Sequence, residues 1–243
     1  MNFFIKNNQI IGNEINIEGS DVNHIKNVLR KNIGDVISVI SDEKIQYRAE
    51  IISLSNEVIK CEILEKKNGE KNDEPKITIF QGLAKADKIE YIIQKCTELG
   101  VYEIIPVEMK RCVVRLDEKD KFKKIERWKK IAEVASKQSL RNEILKIDKV
   151  INFNEMCNTF SEYDCVIMAY EKEKNIMLKD VLKNLKHDQR NIAVIIGPEG
   201  GFDDFEAELI KNNGGKTVSL GKRILRTETA PVAVSSIIMY ELE

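Results

Sequence analysis

Two glycine-punctuated segments lie close together late in the sequence. They are Ile196-Gly197-Pro198-Glu199-Gly200-Gly201-Phe202 and Leu220-Gly221-Lys222-Arg223-Ile224-Leu225-Arg226-Thr227-Glu228-Thr229-Ala230-Pro231. Each follows an apolar run that reads as a strand. Glycine lets a backbone take positive φ and approach a ligand closely. Two such loops at the ends of neighbouring strands would form a cleft lined with free N–H and C=O groups, where open α/β sheets bind ligands. The second segment mixes apolar Ile224 and Leu225 with Arg226, Thr227, Glu228 and Thr229. Apolar walls with a few convergent polar groups describe a small-molecule pocket. The first segment is neither a Walker A loop nor G-x-G-x-x-G, so the common nucleotide sites are disfavoured. Glu199 stands out, because a carboxylate in a tight turn needs a partner. It either caps the following helix or faces a cation, and a sulfonium is such a cation. Thr229 suits the N-terminus of the helix that Pro231 opens, which is compatible with a place at the pocket.

The elements that must hold these loops alternate between strand and helix from Lys76 onward. Strands are expected at Ile77–Gln81, Val101–Val107, Cys165–Ala169, Ile192–Ile196 and Lys216–Leu220. A helix should begin at Asp87, with Glu90 at capping-box spacing, and end at Gly100. A long helix should span Lys119 to Leu140, marked by Phe122, Ile125, Ile131, Ala132 and Ala135 with Trp128 nearby. Asp203 with Glu206 opens another helix, and Val232–Leu242 supplies the last. Such alternation predicts an α/β fold with a mainly parallel sheet covered on both faces. The N-terminal part differs. Asn2–Lys6, Gln9–Ile17, Val36–Ser41, Ile45–Leu54 and Val58–Lys66 read as strands, with one short helix capped by Ser20 or Asp21 carrying Val22, Ile25, Val28 and Leu29 on one face. A small β-barrel with one helix follows. Asn68-Gly69-Glu70-Lys71-Asn72-Asp73-Glu74-Pro75 has no apolar residue and is the expected linker, dividing residues 1–72 from 73–243.

The chain has 243 residues, 42% apolar and 33% charged, with a net charge of −1. That composition supports a real core. Charge is unevenly spread: residues 1–75 carry −3, 76–150 carry +6 and 151–243 carry −4. The excess gathers between Arg111 and Lys130, a run that is either a solvated helix face or a grip for phosphates. The five cysteines form no C-x-x-C pair and the two histidines are isolated, so neither a metal site nor a disulfide framework is expected. A reducing cytoplasm fits this usage. No signal peptide is legible, and no run approaches the roughly 18 apolar residues of a membrane span.

Gly-Pro-Glu-Gly-Gly-Phe at 197–202, followed by Leu-Gly-x-Arg-Ile-Leu-Arg-Thr-Glu-Thr-Ala at 220–230, resembles the RsmE family. The likeness extends along the chain. Asp87-Lys88-Ile89-Glu90-Tyr91-Ile92-Ile93-Gln94-Lys95-Cys96-Thr97-Glu98-Leu99-Gly100-Val101 is similar to the family's first catalytic-domain helix. Arg111, Trp128-Lys129-Lys130-Ile131-Ala132 and Gln138-Ser139 fall in the expected order. His24-Ile25-Lys26-Asn27-Val28-Leu29-Arg30 with Gly34-Asp35 resembles the family's PUA-like RNA-binding domain. Two positions depart from the family pattern. Asn2 precedes Phe3-Phe4 where an arginine is common, and Leu140 stands where the family reads Gln-Ser-Gly-Arg.

The resemblance implies a SPOUT-class methyltransferase domain with a trefoil knot behind a PUA-like barrel, taking S-adenosyl-L-methionine to N3 of a uridine in 16S ribosomal RNA of the small subunit. It implies a homodimer, alongside the cytoplasmic setting and the lack of a metal expected from the cysteine and histidine usage. The family's cofactor loops fall on Met168, Ala169, Tyr170, Gly197, Pro198, Glu199, Gly200, Gly201, Leu220, Gly221, Ile224, Leu225, Arg226, Thr227, Thr229 and Ala230. Deprotonated uracil carries negative charge, which Arg226 is placed to stabilise. Glu199 or Glu228 is the candidate proton acceptor. Lys26, Arg30, Arg115, Lys222 and Arg223 are the RNA-contact candidates. Two other readings stay open: a SPOUT enzyme with a different RNA target, and a non-catalytic RNA-binding or ribosome-assembly protein.

Overall fold

The computed structural model describes residues 1–68 and 74–242. The chain divides into two compact units, Met1–Asn72 with Ser136–Ile144, and Asp73–Ala135 with Leu145–Glu243. Residues 69–73, most of the expected linker, lie outside the described residues.

The first unit carries β1 (Asn2–Ile5), β2 (Ile10–Ile11), β3 (Glu14–Glu18), β4 (Val36–Ser41), β5 (Gln46–Leu54) and β6 (Val58–Lys67). They form one mixed sheet in the order β1-β4-β5-β6-β3-β2, with only β1 and β4 parallel. The expected barrel is therefore a half-barrel with β1 and β2 as its edges. Alternation sets its inner face: Ile15 and Ile17, Tyr47, Ala49 and Ile51, and Ile59 and Cys61 point into one core with Phe3. The helix is shorter than expected. α1 covers Ser20–Asn23 and passes into a π-helical turn at His24–Val28. Its N-cap position is Gly19 at φ 73°, and no side chain caps it, so neither Ser20 nor Asp21 does so. Val22 and Ile25 reach the core, whereas Val28 and Leu29 are turned out by the wider winding.

Residues 136–144 join this unit through side-chain contacts. The Asn2 side-chain amide donates to the carbonyls of Leu140 at 3.0 Å and Arg141 at 3.1 Å. Lys137 pairs with Asp21 at 2.7 Å, and Lys44 with Glu143 at 2.6 Å. The two residues that depart from the family pattern thus meet. Leu140 takes φ 61°, the left-handed region that favours glycine.

The second unit contains β7 (Lys76–Gly82), α2 (Ala86–Glu98), β8 (Glu103–Glu108), α3 (Glu118–Gln138, up to Ala135), β9 (Lys146–Ile147) and β10 (Ile151–Asn152). It continues with α4 (Phe153–Asn158), β11 (Cys165–Ala169), α5 (Leu178–Leu182), β12 (Asn191–Ile196), α6 (Asp204–Asn212), β13 (Lys216–Val218) and α7 (Thr229–Leu242). Every strand pair is parallel, in the order β10-β8-β7-β12-β11-β13, with β9 also on β8. β7 and β12 are central and buried on both faces, which is why they read as continuous apolar runs.

Two helix details differ from expectation. α2 starts at Ala86 with Lys85 at its N-cap position, and Asp87 lies within the first turn rather than capping it. On α3, Phe122 is 70% exposed, while Ile125, Trp128, Ala132 and Ala135 form the buried stripe. Asp203 does cap α6, with Glu206 completing the box.

Strand order reverses between β7 and β12, because the chain runs outward from β7 through β8 and later fills the other side with β11, β12 and β13. A crevice outside the C-terminal strand ends is the expected result. Beyond β13 the chain passes against the connection that follows β11. The Ser219 N–H donates to the Ile176 carbonyl at 2.8 Å, and Leu178 N–H donates to Ser219 at 3.3 Å. It then returns to the end of β12, where Thr227 meets Gly197, before entering α7.

Candidate functional site

At these strand ends lies a cavity of about 970 Å³, near the upper size of small-molecule pockets. Three connections wall it: 169–177 after β11, 196–202 after β12, and 219–230 after β13, with Lys88 from α2. The strands that precede the two glycine segments are not neighbours, contrary to expectation. β11 lies between them, and its end supplies Ala169 and Tyr170 as the third wall.

Hydrogen bonds lock two of these connections together. The Thr227 hydroxyl donates to the Gly197 carbonyl at 2.7 Å. It accepts from the Gln81 side-chain amide at 3.0 Å, and that amide also donates to the Gly82 carbonyl at 3.0 Å. Gln81 is fully buried at the end of β7. A single polar chain therefore joins the ends of β7 and β12 to the segment entering α7.

Glu199 does not cap α6, which Asp203 caps. Its Oε1 accepts from the Lys85 N–H at 3.1 Å, at the start of α2, and lies 3.4 Å from the Lys88 ammonium. Burial pushes its carboxyl up, but hydrogen bonds from Lys85 N–H, its own N–H and Lys88 outweigh that and hold it below the usual glutamate value. A carboxylate so held is a poor proton acceptor. Glu228 Oε2 lies 3.5 Å from the same Lys88 ammonium, and its other oxygen is 4.0 Å from the Arg226 guanidinium. Among the described residues Arg226 has no closer ionic partner, and its side chain is 81% exposed.

Glu173 orders the connection after β11. Its Oε1 accepts from the N–H groups of Lys174, Asn175 and Ile176 at 3.0, 2.9 and 3.2 Å, while Oε2 accepts from the Thr217 hydroxyl at 2.6 Å. The Thr217 bond, with the backbone bonds, holds its carboxyl below the ordinary value.

The glycines serve close approach between loops. A Cβ on Gly201, at φ 68°, would come within 2.7 Å of Glu171, and one on Gly200 within 2.9 Å of the Arg111 carbonyl. On Gly82 it would strike the Pro198 nitrogen at 2.6 Å.

Most of the expected cofactor residues are brought together: Ala169, Tyr170, Gly197, Pro198, Glu199, Gly200, Gly201, Leu220, Gly221, Ile224, Leu225, Arg226, Thr227 and Ala230 all line the cavity. Met168 does not, because it alternates into the core within β11. Thr229 begins α7 and stands behind the wall. Lys222 and Arg223, expected to contact RNA, line the same cavity and are exposed. Arg115 is instead committed to the carbonyls of Met109 and Lys110, at 3.4 and 3.1 Å. Lys26 and Arg30 belong to the first unit. Lys26 donates to Asn56 at 2.6 Å, and Arg30 is exposed at φ 52°. Sequence reasoning missed Gln81, Gly82, Lys88 and Glu173. A glutamine ending an otherwise apolar strand was the one visible signal.

Among the described residues no group of three or more His, Cys, Asp or Glu side chains could hold a metal, and no helix is long and apolar enough to cross a membrane. All five cysteines are buried thiols.

A mixed half-barrel precedes a parallel-sheet α/β domain with a cleft at its C-terminal strand ends, and both parts match those of RNA methyltransferases. Residues 71–239 match the RNA methyltransferase domain family, and residues 17–64 match the RNA methyltransferase PUA domain. The chain belongs to the ribosomal RNA small subunit methyltransferase E family. It is 39% identical to that protein of Bacillus subtilis (strain 168), covering 93% of this chain and 90% of the relative. It is 36% identical to that of Mesomycoplasma hyopneumoniae (strain 232), covering 87% of each. The crystal structure of the Neisseria gonorrhoeae protein bound to S-adenosyl methionine superposes with a TM-score of 0.85 at 30% identity, over 98% of this chain and 96% of that one.

Proposed function

We propose that this protein methylates N3 of a uridine in 16S ribosomal RNA of the small subunit, using S-adenosyl-L-methionine. The observation that carries this reading is the cleft itself, in which both glycine segments and the end of β11 converge with an exposed guanidinium, Arg226, on its wall. The pocket suits that cofactor. Tyr170, Met177, Ile196, Phe202, Leu220 and Leu225 offer apolar surface, and the acidic wall of Glu171, Glu173 and Glu199 suits a cation. Glu199 Oε2 is buried without a hydrogen-bond partner.

When bound, the cofactor supplies an electrophilic methyl group on its sulfonium. The chain's own residues position and neutralise. Orientation of two reactants can contribute roughly 7–11 kcal/mol, and the bonded frame of Thr227, Gly197 and Gln81 provides rigidity for it. Uracil N3 lies on the pairing edge, so the base must leave its stack to enter the cleft. Arg226 stabilises the negative charge that develops on the ring oxygens once the N3 proton is lost. Glu199 is tied to the Lys85 N–H as well as to Lys88 and makes a poor acceptor. Glu228 shares Lys88 but lacks such a backbone bond among the described residues and is the candidate acceptor, with loss of the proton to water the alternative. Lys222 and Arg223 at the cleft, with Lys26 and Arg30 on the first unit, contact RNA phosphates. A cytoplasmic homodimer completes the proposal.

The test is direct. Purified protein is incubated with S-adenosyl-L-methionine and small subunits from cells lacking this activity, and the digested RNA is analysed by mass spectrometry. New 3-methyluridine, absent with Arg226→Ala, supports the reading. A different methylated nucleoside would redirect the target, and absence of cofactor binding would favour a non-catalytic RNA-binding protein.

A further inference from the structure

We infer that Lys88 is a positioning residue: it holds the two glycine-bearing loops at a fixed separation and thereby sets affinity for the cofactor. The inference rests on the reading given under Proposed function. The Lys88 ammonium stands between Glu199 of the first loop, at 3.4 Å, and Glu228 of the second, at 3.5 Å. It has no other ionic partner among the described residues. The three side chains are only about one-fifth exposed, at 23%, 20% and 20%, so solvent screens them weakly.

The anchor for this contact is rigid. Lys88 lies in the first turn of α2, whose body packs through Ile89, Ile92 and Ile93 in the core and against α7. The Lys85 N–H, one turn earlier, fixes Glu199 Oε1 at 3.1 Å, so that carboxylate cannot swing away. Glu228 has no such backbone tie in hand. It precedes α7 and, among the described residues, its ionic partners are Lys88 and, at 4.0 Å, the exposed Arg226. One cation thus compensates two carboxylates on separate loops. Without it they repel one another across a partly desolvated gap, and the stretch free to respond is 222–225, ahead of the Thr227 tie. That stretch carries Ile224 and Leu225 of the pocket wall. A displacement of about 1 Å at a binding wall can change a rate or affinity by up to about 100-fold.

Calorimetric titration of the full chain with S-adenosyl-L-methionine tests this. Lys88→Met and Lys88→Gln are each expected to weaken binding about tenfold or more, while Lys88→Arg stays within about threefold of the parent. In steady-state assays KM for the cofactor should rise more than kcat falls. Glu228→Gln should weaken binding in the parent but partly restore it in the Lys88→Met background, because it removes the repulsion that Lys88 offsets. A general folding defect would instead lower the thermal midpoint and kcat without that coupling. Parent-like affinity in both Lys88→Met and Lys88→Gln, or additive effects in the double variant, overturns the inference alone. Failure of the parent to bind the cofactor overturns the functional reading and this inference with it.

Discussion

The Thr227 hydroxyl donates to the carbonyl of Gly197 across 2.7 Å, joining the segment that enters α7 to the loop that leaves β12. The same oxygen accepts from Gln81, so three separate stretches of chain meet at one hydroxyl. Thr227→Val keeps the shape and removes the donor. A carbonyl that loses its buried partner costs about 1–3 kcal/mol. Urea unfolding should show a loss of that order, and cofactor titration a weaker affinity, with Thr227→Ser close to the parent. A Val variant as stable and as tight as the parent would show the bond to be incidental.

Gly82 closes β7 directly beneath Pro198. Its substitution by Ala places a methyl 2.6 Å from the Pro198 nitrogen and 2.7 Å from its Cδ, neither of which can rotate aside. The loop 197–201 must shift. Overpacking of this kind costs about 1–3 kcal/mol, and the cost falls on the cleft. Gly82→Ala should bind cofactor more weakly, whereas Gly214→Ala, with open space around its Cβ direction and far from the cleft lining, should affect stability through its φ of 88° alone.

Arg226 separates chemistry from folding. Its side chain is 81% exposed, so its loss leaves no buried charge behind. Arg226→Ala should melt within a degree or two of the parent, yet lose roughly 100-fold or more in kcat if it stabilises developing charge. Arg226→Lys should recover only part, since a point charge lacks the planar fork. Measured 3-methyluridine formation decides it. An unchanged rate in the Ala variant would remove Arg226 from the mechanism.

The strands and the two glycine loops were legible because their signals are local: apolar runs, Gly pairs and a capping box at Asp203. What the sequence hid is long-range. Lys88 and Glu228 are remote in the chain, and nothing in either neighbourhood announces the pairing. Glu173 reads as one charge in the mixed-charge turn Glu171-Lys172-Glu173-Lys174 until Thr217 is seen beside it. Met168 was assigned to the pocket by position, but strand alternation sends it into the core. The helix at residues 20–29 failed for a different reason: its π-helical winding shifts Val28 and Leu29 off the face that 3.6-residue spacing assigns them.

Leu140 carries a strain that Asn2 helps to hold. At φ 61° a branched side chain costs about 1–2 kcal/mol, and 59% of this one lies in solvent with little packing in return. Asn2 fixes the adjacent carbonyls. Leu140→Gly removes the strain at the expense of a floppier unfolded chain, for a net gain of about 0.5–1 kcal/mol. Asn2→Ala should cost about 1 kcal/mol, and less in the Leu140→Gly background, because the glycine holds the turn unaided. Equilibrium unfolding of the four proteins gives the coupling. Equal losses in both backgrounds would mean that the two residues act independently.

Glu173 predicts a specific acid sensitivity. Its hydrogen bonds from Thr217 and from the N–H groups of residues 174–176 favour the charged form and lower its folded-state value beneath the ordinary 4.5. The unfolded chain therefore takes up a proton first as pH falls. The stabilisation is complete above about pH 4.5 and is lost progressively as pH drops through the depressed folded value. Glu199, also lowered, acts in the same direction. Glu173→Gln should be less stable than the parent at neutral pH, because an amide oxygen accepts more weakly. Its stability should then decline less steeply below pH 4.5, so that the two curves converge in acid. Urea midpoints taken through that range test the sign. Parallel curves would show that the Glu173 carboxyl titrates identically in both states and does not hold the connection after β11.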